Sequence, residues 1–390
     1  MTEINKNHAP AHKSITAVLV LADGSLFWGY GVGCTDDIVG EVCFNTAITG
    51  YQEILTDPSY AGQIITFTFP HIGNVGTNED DNEAAAPAAR GLIIRESITS
   101  PSNYRSQSHL NDWCLARGLV GISGIDTRRL TRYIRKNGAP NGVISHNKDG
   151  IFDIPALIQK AQDWPGLHGM DLAQEVSCKK SYTWDEARWT IKDGYQKIAN
   201  PKAHVVAVDY GVKRNILRCL AATGTRITVV PATATAEEIL SYKPDGIFLS
   251  NGPGDPAATG IYAIPVIQAL LQTGLPLFGI CLGYQILALA IGAKTLKMHQ
   301  GHRGANHPVK DYNTGKVEIT SMNHGFMVDK ESLPEGAKIS HISLFDQSLC
   351  GFELIEKSAF AVQHHPEASP GPQDSHYLFD RFMEMIEKHA

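Results

Sequence analysis

The segment "FGICLGYQ", residues 278–285, places one cysteine between two glycines directly after an apolar run. Glycines tolerate the tight turn that joins a strand to a following helix, and the residue at the apex of that turn projects from the end of the sheet. Cys281 occupies the apex. It also precedes the predicted helix, whose unpaired N–H groups and dipole favour a thiolate. The pattern therefore predicts a nucleophilic cysteine, although a free cysteine is more often a buried structural residue.

The sequence around this turn alternates apolar strands with amphipathic helices from residue 204 onward. The strand patterns HVVAV, RITVVPA, GIFLSN and PLFGI are each followed by a helical pattern. This alternation is typical of a parallel sheet with helices on both faces, where ligands bind at the carboxyl ends of the strands. We expect an α/β fold whose second domain is a doubly wound, mostly parallel sheet.

The first half of the chain follows a different pattern. Asp23 and Gly24 stand between two apolar segments, which is a strong hairpin signal. IITFTF is predicted to be a strand, and HLNDWCLARG a helix that ends at Gly118. A second helix, DTRRLTRYIRKNG, is predicted to begin after a cap at Asp126 and to end at Gly138. These elements predict a separate α/β domain.

The length of 390 residues exceeds what one hydrophobic core usually serves, so two domains are expected. We place the amino-terminal domain at residues 15–180 and the second domain at residues 203–390. Residues 181–202 are predicted to be a linker, because they are polar and show weak periodicity.

Composition limits the classes of partner. With 43% apolar residues, 19% charged residues and a net charge of −6, the chain is not expected to bind nucleic acid. The first residues lack the layout of a secretory signal, and the apolar runs are too short to span a bilayer, so we expect a cytoplasmic protein with no membrane association.

Seven scattered cysteines without a CxxC pair predict neither disulfides nor a zinc site. His299, His302 and His307 lack a completing cysteine or carboxylate, so no metal is expected there.

The segment AFAVQHHPE, residues 359–367, supplies a candidate base for the cysteine. Alternate side chains of a strand share a face, so His365 and Glu367 are expected to lie side by side. Glu367 would fix the tautomer of the His365 imidazole and stabilise its charged form. Pro366 stiffens the backbone between them. His364 faces the other way and is expected to be a packing or rim residue.

The segment LSNGPGDP, residues 249–256, ends the strand one βα unit before the cysteine. Its two glycines allow backbone N–H groups to point inward, and a tetrahedral intermediate requires such donors. We predict that the N–H groups of Gly252 and Leu282 form the oxyanion hole. A plain turn would have the same composition.

The motifs GPG, GxCxG and HPE in this order resemble the class I glutamine amidotransferases. The resemblance implies that the doubly wound, mostly parallel sheet is flavodoxin-like and of the class I glutamine amidotransferase type. It also implies a catalytic triad of Cys281, His365 and Glu367. It extends to SMNHGFMVD, residues 321–329, which lies against the substrate glutamine in relatives. The residues that it implies for substrate binding are Ala47, Gly252, Gly254, Leu282, Gln285, Asn323, Gly325 and Phe326.

The first half narrows the resemblance. FNTAITGYQEILTDPSYAGQIITFTFPHIGN and GHRGANHPVK are similar to the small chain of carbamoyl-phosphate synthase, and the similarity runs from about residue 15 to residue 388. Ala47 departs from the family, which commonly has a glutamine-binding serine there. The loss of one neutral hydrogen bond predicts up to roughly tenfold weaker glutamine binding with near-normal turnover. Arg303 and Ala305 are smaller departures.

The resemblance also implies what the chain works with. A glutaminase subunit hydrolyses L-glutamine to glutamate and ammonia, without a cofactor of its own. No GxxxxGK[ST] phosphate loop occurs in the sequence. A large synthetase chain would therefore carry ATP, bicarbonate and Mg, and would make carbamoyl phosphate for arginine and pyrimidine synthesis. The two chains would form a heterodimer or a higher oligomer. The arginine-rich helix at residues 127–137 is either a face for this partner or an ordinary solvated face.

Three other functions stay open at this point. The chain could serve an anthranilate or guanylate synthetase, although the first 180 residues weigh against this. It could be a free-standing cysteine hydrolase that acts on γ-glutamyl compounds. It could instead be a non-catalytic, allosteric partner subunit, although the intact cysteine, histidine and glutamate argue against a silent role.

Overall fold

The structure is a computed structural model that describes residues 15–389. The strands of its first half are β1 Ala17–Leu21, β2 Leu26–Gly33, β3 Asp37–Asn45, β4 Gln63–Phe67, β5 Gly91–Ile93, β6 Val120–Ser123 and β7 Asn141–His146. The helices of this half are α1 Tyr51–Thr56, α2 Leu110–Ala116, α3 Thr127–Asn137, α4 Ile154–Asp163 and α5 Ala173–Val176.

The strands β1 to β7 close into a barrel in the order β1-β2-β6-β5-β4-β3-β7, with β7 paired to β1. The predicted hairpin joins β1 to β2, and Gly24 supplies the left-handed turn with φ +86°. The predicted cap of α3 is also confirmed, since the Asp126 side chain accepts from the N–H of Arg129 at 3.0 Å and the helix ends at Gly138. The sequence predicted an α/β domain here but not the closure of its sheet.

The second half contains the remaining elements. Its strands are β8 Tyr182–Trp184, β9 Glu186–Thr190, β10 Gly194–Lys197, β11 Ala203–Asp209, β12 Thr225–Pro231, β13 Gly246–Leu249, β14 Leu277–Ile280, β15 Thr295–Asp311, β16 Val317–Val328, β17 Ala337–Ser343, β18 Leu349–Leu354 and β19 Ala359–Val362. Its helices are α6 Arg214–Ala222, α7 Ala236–Ser241, α8 Pro256–Gln272, α9 Leu282–Ala290 and α10 Tyr377–His389.

A single large sheet organises the second half. Its order is β16-β15-β17-β18-β19-β14-β13-β11-β12-β8, and the strands from β19 to β12 run parallel. Their order along the sheet is that of a flavodoxin-like fold, so the predicted doubly wound architecture is confirmed. Apolar side chains fill both faces. On one face the rings of Phe278 and Phe360 stack with centroids 4.4 Å apart.

Two segments differ from expectation. The predicted linker at residues 181–202 contains the three strands β8, β9 and β10, and β8 pairs with β12 at the edge of the large sheet. These strands are short and half-exposed, so they lack the apolar run that would have predicted them. After residue 294 the strand patterns of the sequence are short and mixed, whereas β15 and β16 are 17 and 12 residues long. The register of this pair shifts between residues 297 and 307, which interrupts the alternation of a regular strand.

Among the helices of residues 15–389, not one combines the length and the apolar character needed to cross a bilayer.

Candidate active site

The backbone at Cys281 adopts a left-handed conformation between β14 and α9. Its φ of 53° and ψ of −102° are unfavourable for a residue with a side chain. The neighbouring glycine is required by packing, because a Cβ at Gly283 would lie 2.3 Å from the carbonyl oxygen of Leu249. The turn therefore has the geometry that the two glycines predicted, and the thiol is buried at the carboxyl end of the central strand.

The turns after β13 and β14 lie side by side because these strands pair in parallel. A Cβ at Gly252 would lie 2.8 Å from Cδ2 of Leu282, so the two residues predicted for the oxyanion hole are neighbours. Leu282 is the first residue of α9, and an N–H in the first turn of a helix has no intrahelical acceptor. The structure thus brings together both predicted donors beside Cys281.

The imidazole of His365 and the carboxylate of Glu367 are also brought together. Nδ1 of His365 lies 2.7 Å from Oε1 of Glu367, and both side chains are almost fully buried. The predicted strand ends earlier than expected, at Val362. An isolated bridge holds the backbone instead, with the N–H of His365 donating to the carbonyl of Ser321 at 2.9 Å.

Electrostatics favours a charged pair at these two residues. Burial alone would lower the pKa of His365, but the negative charges of Glu367 and Cys281 raise it to about 10. Burial alone would raise the pKa of Glu367, but the positive charges of Lys213 and His365 lower it to about 2. Nε2 of His365 has no hydrogen-bond partner among residues 15–389. The ring therefore keeps one nitrogen available for proton transfer.

Lys213 is a site residue that the sequence analysis missed. Its Nζ donates to Oε1 of Glu367 at 2.8 Å, to the carbonyl of Ala368 at 2.8 Å and to the carbonyl of Ser369 at 3.0 Å. Its side chain is only 4% exposed. The residue lies in the loop between β11 and α6, and no local pattern links it to a carboxylate 154 positions later. This ion pair fixes the orientation of the Glu367 carboxylate.

A narrow pocket with a volume of about 30 Å³ lies beside the thiol. Most of the predicted substrate residues line it, namely Gly252, Gly254, Gln285, Asn323, Gly325 and Phe326. The thiol of Cys281 lies 3.5 Å from the carbonyl oxygen of Asn323. The side-chain amide of Gln285 donates to the carbonyl oxygen of Phe326 at 2.8 Å. Segment 321–329 therefore forms one wall of the pocket, as the resemblance implied.

The barrel domain contributes a second wall. Ser59 and Gln63 line the same pocket as Cys281, and the Ser59 hydroxyl accepts from Nδ2 of Asn251 at 2.8 Å. Ala47 instead lines a neighbouring cavity, together with His365. This cavity shares Asn323 with the pocket beside Cys281. The substrate contact implied for Ala47, and the weaker glutamine binding expected from it, stay predictions. The quoted segment contained Ser59, but nothing in the sequence marked which of its side chains reaches the pocket.

A buried cluster of charged side chains lies next to the pocket. Arg303 lines the pocket beside Cys281. The carboxylate of Glu41 on β3 lies 3.4 Å from Nη2 of Arg303 and 2.7 Å from Nζ of Lys297. Arg303 was identified only as a departure from the family. The structure shows that it joins the second domain to the barrel.

The three histidines considered for a metal do not converge. His299 is exposed, whereas His302 and His307 are buried with ring centroids 5.2 Å apart. His302 pairs with Asp346 at 3.0 Å.

Comparison with known proteins agrees with this geometry. Residues 206–385 match the family model for glutamine amidotransferase class-I, and residues 19–144 match the model for the carbamoyl-phosphate synthase small chain. A carbamoyl phosphate synthase small chain of Bradyrhizobium diazoefficiens is 62% identical, over 99% of this chain and 98% of the relative. The corresponding protein of Mesorhizobium japonicum is 63% identical, over 95% of this chain and 94% of the relative.

The chain belongs to the carbamoyl-phosphate synthase small-chain family. The predicted family and the predicted fold class are therefore confirmed. A solved structure of a glutamine amidotransferase from Thermotoga maritima also matches, with 19% identity and a TM-score of 0.36 over 48% of this chain and 84% of that one. In the chain described here, residues 19–144, which match the small-chain model, form the barrel, and residues 206–385, which match the amidotransferase model, form most of the large sheet.

Proposed function

We propose that this chain is the glutamine-hydrolysing subunit of a carbamoyl-phosphate synthase and that it passes ammonia to a large synthetase chain. The observation that carries the proposal is the position of Cys281, with Gly252 and Leu282 adjacent, in a pocket that shares Asn323 with the cavity lined by His365, whose imidazole pairs with Glu367. Membership in the small-chain family supports the identity of the partner. The two subunits form a complex of at least one copy each, in which ATP, bicarbonate and Mg belong to the large chain.

The reaction begins at the thiolate of Cys281. The sulfur attacks the carboxamide carbon of glutamine, and the N–H groups of Gly252 and Leu282 stabilise the oxyanion. The imidazolium of His365 gives a proton to the departing nitrogen, which leaves as ammonia. A γ-glutamyl thioester remains on the cysteine.

The neutral imidazole then activates a water molecule that hydrolyses the thioester. Glutamate leaves, and Cys281 returns to the thiolate while His365 is again protonated. Glu367 holds the ring through Nδ1, so that Nε2 faces the reacting atoms. Segment 321–329, Gln285 and Ser59 hold the substrate. This chemistry suits the cytoplasm, where a reduced thiol persists.

The test uses the native complex with its large chain. We expect Cys281→Ser to abolish carbamoyl phosphate synthesis from glutamine and to leave synthesis from ammonium salt unchanged. Cys34→Ser is the matched control, because Cys34 lies outside the pocket. Equal loss of both activities in the Cys281 variant would identify a structural subunit instead. Hydrolysis of glutamine without any co-purifying ATP-dependent chain would identify a free-standing hydrolase.

A further inference from the structure

A second cluster of buried polar side chains lies on the other side of the His365 segment. It consists of Glu318 on β16, His341 on β17 and His364, which follows β19. Each is at most 4% exposed. One donor atom from each residue lies within 4.8 Å of the others. These three residues are called the inner cluster below.

Three of the four imidazole nitrogens of the inner cluster are unsatisfied. Within residues 15–389, Nε2 of His341 and both ring nitrogens of His364 are buried without a hydrogen-bond partner. An unsatisfied buried polar group costs about 1–3 kcal/mol. Such groups call for a ligand that satisfies several of them at once. The rings of His341 and His364 lie close together, with centroids 5.3 Å apart.

The backbone is adapted to hold these rings. Gly351 on β18 lies between His341 and the end of β19, and a Cβ there would lie 2.8 Å from Nδ1 of His341. The absence of a side chain leaves room for the ring. Ser340 lies 2.9 Å from the same nitrogen, and Ser375 donates to Oε2 of Glu318 at 2.7 Å. Hydrogen bonds of this kind orient metal ligands in proteins.

We propose that the inner cluster binds one divalent transition-metal ion, with zinc as the best fit. Two imidazoles and one carboxylate form a set that zinc accepts, with water in the fourth position. Donor atoms of a tetrahedral site with bonds of about 2.1 Å lie about 3.4 Å apart. The observed limit of 4.8 Å therefore requires only side-chain rotation. The sequence analysis expected no metal and assigned His364 to packing. It missed this site because the three ligands come from three segments that are distant in the sequence.

The position of the ion suggests what it does. His364 immediately precedes His365, so an ion held by His364 fixes the backbone that carries the active-site imidazole. The ion is structural, since the inner cluster does not line the pocket beside Cys281. Binding of the ion is measured independently of glutamine hydrolysis. A negative result for the metal site would therefore leave the proposed glutaminase function untouched, and the reverse also holds.

The experiment measures metal content. The full-length chain is stripped with a chelator, incubated with ZnSO₄ and desalted, and zinc is determined by mass spectrometry. We expect about one zinc per chain, and a higher melting temperature than for the stripped protein. His341→Ala and the nearly isosteric Glu318→Gln should each reduce bound zinc by more than half. His168→Ala removes an exposed histidine and should not.

Cobalt provides an independent readout of the same site. Co²⁺ in the native chain should give the visible absorption of a four-coordinate nitrogen and oxygen site, and Glu318→Gln should lose it. Glu318→Gln keeps the experiment decisive if His341→Ala fails to fold. Full zinc retention in Glu318→Gln, or less than about a tenth of one zinc in the native chain, would overturn the proposal.

Discussion

Replacing Lys213 by methionine tests the electrostatic design of the site. Methionine preserves the length and the apolar stem of the side chain but removes the ammonium group. The Glu367 carboxylate then loses a partner at 2.8 Å and keeps only the imidazole of His365. The carbonyls of Ala368 and Ser369 lose their shared donor as well.

The expected loss in the free energy of unfolding is estimated from the pKa of the buried Glu367 carboxylate. The pKa of Glu367 is about 2 instead of its ordinary 4.5, a difference that corresponds to about 3 kcal/mol. Lys213 and His365 share this stabilisation. Breaking a buried ion pair by removing one partner costs about 3–5 kcal/mol. We therefore expect a loss of about 3 kcal/mol in the free energy of unfolding, or roughly 6–12 °C in melting temperature.

The effect of Lys213→Met on stability should also depend on pH. The pKa of Glu367 is depressed in the folded state, so its stabilisation is complete above about pH 4.5 and is lost as the pH falls toward 2. The difference in stability between the native chain and Lys213→Met should accordingly be constant between pH 7 and about pH 4.5 and shrink below that.

Denaturant unfolding at several pH values measures both effects. Glutaminase assays on the same samples should show a lower kcat, because the carboxylate that positions His365 is less firmly held. Lys388→Met is the control, since that lysine side chain is 79% exposed and its loss should change stability by less than about 0.5 kcal/mol. A melting temperature of Lys213→Met within about 2 °C of the native value would refute the reasoning.

Three further outcomes are expected. Ser59→Ala should raise KM for glutamine by up to roughly tenfold with near-normal kcat. Ala47→Ser should lower KM, because the added hydroxyl can hydrogen-bond the substrate, and steady-state kinetics measures both changes. Gly351→Ala should lower the free energy of unfolding by about 1–3 kcal/mol in chemical denaturation, because its Cβ meets a ring nitrogen at 2.8 Å. Burial alone would lower the pKa of His365, but the negative charges of Glu367 and Cys281 raise it to about 10. The stabilisation of the folded state by protonated His365 is therefore complete below about pH 6.5 and is lost as the pH rises toward 10. Glu367→Gln should flatten this alkaline loss in thermal melts.

The parts of the site that the sequence predicted depend on short-range geometry. The turn at Cys281 follows from its two glycines, and the pairing of His365 with Glu367 follows from a spacing of two residues. The two side chains lie side by side even though the regular strand ends at Val362, because a bridge between His365 and Ser321 holds the backbone there. The alternation of apolar strands and helices likewise predicted the parallel sheet.

The parts that the sequence did not predict depend on long-range contacts. Lys213 reaches Glu367 only because the loop after β11 and the segment after β19 meet at one end of the sheet. Closure of the barrel requires β7 to pair with β1, more than a hundred residues away. Ser59 was present in a segment recognised by its resemblance. Its approach to Asn251 could not be deduced from spacing.

The contacts between the two domains suggest why the barrel accompanies the amidotransferase sheet. Asp57 accepts from Nδ2 of Asn323 at 3.1 Å, and Ser59 accepts from Asn251 at 2.8 Å, so the barrel holds two segments that border the thiol. Glu41 compensates the buried charge of Arg303 on the same side. A buried arginine without that carboxylate would be costly. The pocket is consequently a product of both domains, and the barrel acts directly on the geometry of the site.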